Sequence, residues 1–162
     1  MKARRTLFYI FIIIMLLIDI ALILEASFNA DQSSMQSSGI TSFIVDIIIK
    51  MFPNANIDVE VAHSVVRKVV GHFLFFGLSG IFTSLSLLFI EEPMKVKGEI
   101  LTIGLFKGFL LAVSTEIIQI FVPGRSGEFK DIMIDFSGYL LFFLITYLIY
   151  YLIYKGSLKK SA

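Results

Sequence analysis

The chain has 162 residues, is 57% apolar and has a mean hydropathy of +0.87. A water-soluble domain is about half apolar and about a quarter charged, and the 17% charge found here excludes that ordinary class. A net charge of +1 leaves no basic footprint for nucleic acid, and the lack of cysteine excludes disulfides and thiolate chemistry.

Four apolar runs follow, each near the ~20 residues that cross a bilayer as a helix. The first spans about Leu7 to Ala26, behind the basic flank "MKARR". That flank suits a signal peptide. The run is close to full span length, however, and "EASFNADQ" has no A-x-A cleavage site, so it reads as a retained membrane helix with a cleaved signal as the minor alternative. The outer segment, 27–68, begins with the polar, turn-prone "SFNADQSSMQSSG". Ile40, Phe43, Ile44, Ile47, Ile48 and Met51 then recur at helical spacing, which predicts an amphipathic helix of about three turns, ended by Pro53. It is too short to span, and is expected to lie on the membrane surface or cap the bundle. "DVEVAHSVVRK" leads without a breaker into the second span, about Val69 to Ile90, which stops at "EEPMKVKGE". The third span is about Ile100 to Val122, stopped by "PGRSG"; the fourth is about Ile132 to Tyr154, ending in "KGSLKK". The expectation is an all-α membrane protein, a four-helix transmembrane bundle with an extracytoplasmic amphipathic helix, forming one membrane domain over 1–162.

Basic residues set the predicted orientation. Lys2, Arg4 and Arg5 precede the first span, Lys95 and Lys97 separate the second from the third, and Lys155, Lys159 and Lys160 follow the fourth. Four spans put all three groups on one side, which the positive-inside rule makes cytoplasmic for both termini. The segment 27–68 and the "PGRSGEFKD" loop are then extracytoplasmic. Lys50, Arg67, Lys68, Arg125 and Lys130 run against the rule and call for another role.

Polar residues recur at one depth near that outer face. Lys68 and His72 are four apart on the second helix, and His63 and Arg67 form a similar pair a turn further out. Ser79, Thr83 and Ser86 continue below as small residues suited to close packing. Gly108, Ala112, Glu116 and Gln119 share a face of the third helix; Asp131, Asp135 and Gly138 share one of the fourth. Ionisable groups inside a membrane protein face the interior or a wet cavity, so the three helices are expected to converge on one site.

"TEIIQIFVPGRSGEFKDIMIDFSG" resembles the signature of the VanZ-like family, small bacterial membrane proteins named for a teicoplanin-resistance protein. The pattern is Glu and Gln a turn apart, Pro-Gly-Arg, a short spacer, two acidic positions four apart, then Gly. "RKVVGHFLFFGLSG" is similar to the family's second block and "DQSSMQSS" to its Ser/Gln-rich stretch. Where many members carry a further Gly one turn after Gly138, this chain has Phe142. The resemblance implies a cell-envelope role and reduced susceptibility to a lipoglycopeptide, without supplying a reaction.

Arg67, Lys68 and Arg125, with Gln119, suit recognition of an anionic group such as phosphate. His72, Glu116, Asp131 and Asp135 can serve as general acids or bases, or hold a divalent cation. No Ser-His-Asp order, HExxH or P-loop accompanies them. The leading expectation is therefore a binder or modifier of a lipid-linked envelope precursor or lipoglycopeptide, in contact with membrane lipid. The alternatives are an accessory protein that docks another envelope protein through its outer helix and, third, a small transporter. Bland readings stand beside these: Asp131 and Asp135 as helix-start acids, Glu116–Arg125 as a structural ion pair, His72 as a packing partner, and Lys107 snorkelling to the cytoplasmic interface. Asp19, deep in the first span, needs a partner or a proton.

Overall fold

The computed structural model describes the backbone of residues 2–28, 30–53, 55, 57–90 and 97–160; the side chains of residues 2, 30–38, 40, 64, 67, 68, 70, 71, 90, 97 and 154–160 lie outside the description. The described residues form α1 (Lys2–Ala26), α2 (Ala30–Met51), α3 (Val59–Arg67), a π-helical stretch (Lys68–Leu74), α4 (Phe75–Ile90), α5 (Lys97–Ile120) and α6 (Phe129–Lys160), with no strand among them. Four helical segments are long and apolar enough to cross a membrane: Ala3–Ala26, His72–Phe89, Gly98–Ile120 and Phe129–Ile153. The chain is thus a multi-pass, all-helical membrane protein, as the apolar runs predicted.

Helix α4 occupies the centre. It packs on α1, α5 and α6, and α5 also reaches α1 and α6. Close approach is possible because small residues line the contact faces: Ser79, Thr83, Ser84 and Ser86 on α4 are all buried. A methyl group at Gly80 would overlap the Tyr139 carbonyl, and one at Gly138 would overlap that of Phe73. Gly108 and Gly104 leave room for the rings of Tyr139 and Phe143, which stack with centroids 5.9 Å apart. Buried Tyr139 donates its hydroxyl to the Gly104 carbonyl at 2.8 Å. Phe142, at the position where a glycine was expected from the family pattern, fills the notch at Gly77 and meets Phe73 edge to face.

Three sequence expectations need correction. Helix α2 begins at Ala30 and has 22 residues, rather than about three turns from Ile40. Ala, Gln and Met sustain a helix well, and serine is only mildly unfavourable there, so the polar stretch continues it instead of turning. The passage from α3 to α4 is unbroken, as expected, but widens into seven π-helical residues. Asp58 starts α3 by accepting the backbone N–H groups of Glu60 and Val61.

The third correction concerns Lys107, which turns inward and does not snorkel. Its Nζ lies 2.8 Å from Asp19 Oδ2 and donates to Ser79 Oγ at 2.7 Å. Ser79 Oγ donates in turn to Asp19 Oδ1 at 2.6 Å. Two opposite charges satisfied by each other inside the bundle are less costly than either one in hydrocarbon. This triad supplies the partner that Asp19 lacked.

Candidate functional site

Helix α5 ends at Ile120, where Pro123 cannot continue a helix and Gly124 takes a left-handed conformation, φ 77°. The loop then folds back tightly: a methyl at Gly127 would overlap the Glu116 carbonyl oxygen. This brings the start of α6 against the last turns of α5. Glu116 Oε2 accepts the backbone N–H of Glu128 at 2.9 Å, so a carboxylate from one helix caps the start of the next. The partial positive charge of a helix N-terminus favours an anion at that place.

From α6, Asp135 Oδ1 meets His72 Nδ1 at 3.0 Å. His72 lies within the π-helical stretch, where Gly138 lets the two backbones approach. Such widened turns are rare and are often found at functional sites. Ligand atoms of His72, Glu116 and Asp135 all lie within 4.8 Å of one another, a grouping that could hold a metal ion. Asp135 is fully buried and Glu116 only 2% exposed, yet Asp135 Oδ2 and Glu116 Oε1 have no hydrogen-bond partner among the described residues. Buried polar atoms are nearly always satisfied, so two orphaned oxygens in one cluster of side chains need an explanation.

The other singled-out residues divide. Gln119 is buried one turn beyond Glu116, and Asp131 is buried one turn before Asp135. Arg67 ends α3 and Lys68 opens the π-helical stretch, but their side chains fall outside the described residues. Arg125 does not pair with Glu116. Its Nη1 donates to the Glu25 carboxylate and the Glu25 carbonyl, both at 3.1 Å, and reaches the Phe28 carbonyl at 3.5 Å. The end of α1 offers a carboxylate and backbone carbonyls together, which suits a permanently charged guanidinium, whereas Glu116 Oε2 is already engaged by Glu128. The structural-pair reading for Glu116–Arg125 is therefore replaced by a tie between the α5–α6 loop and α1.

Glu25 was missed by the sequence reading. The signal that could have found it is its position: a carboxylate at the end of a span otherwise apolar but for Asp19, on the end of the bundle where Arg125 lies.

A model of the VanZ/LLP1 family matches residues 7–151, most of the chain. No curated protein and no solved structure matches it.

Proposed function

We propose that this chain, which belongs to the VanZ/LLP1 family, binds or modifies a lipid-linked envelope component or a lipoglycopeptide at the His72–Glu116–Asp135 site. Family membership gives a teicoplanin-resistance-associated envelope protein at the family level; the substrate and the residue roles are our reading. The observation that carries it is the convergence of three ionisable groups from three different spans within 4.8 Å. Inside a membrane such groups are costly to keep unless they serve a function. In this reading His72, Glu116, Asp131 and Asp135 act on the polar head of the ligand, while Arg67, Lys68 and Gln119 contribute to binding it; Arg125, first expected among the binding residues, instead ties the loop beside the site to α1. The eight Lys and Arg at the proposed inner segments favour cytoplasmic termini, which would place the site toward the outer leaflet.

Two experiments test this. Glu116→Gln and Asp135→Asn should each abolish resistance conferred by the chain, with protein level and melting temperature close to wild type; losses that track stability would make the cluster structural. A cysteine at position 37 should react with an impermeant thiol reagent on intact cells, and one at position 161 should not; the reverse pattern would overturn the orientation.

One observation favours a second reading, an accessory protein that docks an envelope partner. On α2, Phe43, Ile47 and Met51 recur every four residues and are exposed. If Ile47→Glu abolishes resistance while Glu116→Gln does not, this reading replaces the first.

A further inference from the structure

The geometry points to a divalent-cation site formed by His72, Glu116 and Asp135, one that takes Mn2+ or Zn2+. This deepens the proposed function, resting on the reading that these residues form the working site.

Two independent observations support it. The first is the ligand set: one imidazole and two carboxylates, with their ligand atoms within 4.8 Å of one another. Two ligands at ~2.2 Å from a common ion lie at most ~4.4 Å apart, so the side chains need close by only a small rotamer adjustment. The second is the pair of orphaned oxygens, Glu116 Oε1 and Asp135 Oδ2, on side chains that are 2% and 0% exposed. A metal ion supplies both with a partner at once. Glu116 can bridge, since its Oε2 stays on the Glu128 N–H, and that hydrogen bond orients the ligand as outer contacts do in metal sites.

Metal binding takes these ligands in their deprotonated form, two carboxylates and a neutral imidazole, which together carry two negative charges. Arg125 does not offset them, being committed to Glu25 and the end of α1. The start of α6 contributes only about half a positive charge. A dication brings the set to neutrality.

The donor types choose among ions. Imidazole favours Zn2+ over Mg2+ or Ca2+, and carboxylates are shared by Mn2+. Three protein ligands with a position left open is the pattern of metal sites that bind a further molecule. Here that position would accept an oxygen of an anionic headgroup.

The test uses the full chain, without a histidine tag, in lipid nanodiscs stripped with chelator and titrated with Mn2+ and, separately, with Zn2+. One ion per chain is expected, with a rise in melting temperature. The affinity should fall by at least about a hundredfold in both Glu116→Gln and Asp135→Asn, and remain unchanged in Glu60→Gln, which is exposed on α3. Pulsed electron paramagnetic resonance of the bound Mn2+ should show a coordinated imidazole nitrogen that disappears in His72→Gln. This spectrum on the wild-type chain decides the matter even if a carboxylate variant fails to fold. Absence of saturable Mn2+ and Zn2+ binding, or equal binding in wild type and both carboxylate variants, overturns the site. If binding fails while resistance still depends on Glu116 and Asp135, the cation falls and the function proposed above stands. If the ion binds but resistance ignores these residues, the reverse holds.

Discussion

Replacing Lys107 by methionine keeps the length of the side chain and removes its charge. Asp19 then loses its only described cationic partner, 2.8 Å away, and retains the Ser79 hydroxyl. Breaking one half of a buried ion pair costs about 3–5 kcal/mol. Single hydrogen bonds between membrane helices are worth about 0.6 kcal/mol on average and up to about 1.7, and Lys107 makes bonds to both Asp19 and Ser79. The side chains are 24% and 13% exposed, so the charge left behind is only partly enclosed. We therefore expect a loss near the lower figure, about 3 kcal/mol, in Lys107→Met. Asp19→Asn in that background removes the stranded charge and should restore about 2 kcal/mol, giving a coupling well above the ~0.5 kcal/mol of independent sites. Reversible unfolding in bicelles, followed for both single variants and the double variant, measures this. A loss below ~0.5 kcal/mol, or a double variant equal to the sum of the singles, would refute the claim that Asp19 and Lys107 neutralise each other.

Further outcomes follow from packing. Gly138→Ala and Gly80→Ala each press a methyl into backbone atoms of a neighbouring helix and should cost about 1–3 kcal/mol, whereas Gly39→Ala meets nothing within 4 Å and should be neutral or stabilising by up to ~1 kcal/mol; thermal unfolding of the three variants compares them. Tyr139→Phe removes the bond to the Gly104 carbonyl and should cost about 1 kcal/mol, read in the same assay. Arg125→Gln frees the end of α1, and should raise amide hydrogen exchange at Glu25–Phe28 and in the α5–α6 loop far more than in α4.

The spans were legible because hydrocarbon length and apolar runs are local quantities, and their ends were marked by Pro93, Pro123 and charge. The polar faces of α5 and α6 were also legible: residues three or four apart lie together whatever the surroundings, and Glu116 and Gln119 indeed share one buried face. Pairings across the chain were not. Lys107 finds Asp19 from 88 residues away, and Arg125 finds Glu25 from 100. Spacing carries no information at that range, and each of these cations had a nearer, plausible alternative. The polar start of α2 was misread because Ser and Asp mark turns only where a helix offers them no better use. The widening at Lys68–Leu74 had no signature either, since the hydrophobic pattern around it suits an ordinary helix.

That widened stretch also fixes a direction. A π-helical turn holds an extra residue, so everything N-terminal to it is turned about the axis of α4 relative to a continuous α-helix. If α-helical bonding ran through this stretch with no residue removed, α3, and with it the α2 packed on it, would turn by about 100° of azimuth, one residue's worth, to another side of the bundle. Deleting one residue, such as Val70, removes the extra residue and should let α-helical bonding run through with α3 kept on its present side. The outer hairpin is thus aimed by a swivel at the head of the second span, and the widened turn that holds its bearing is the one that carries His72.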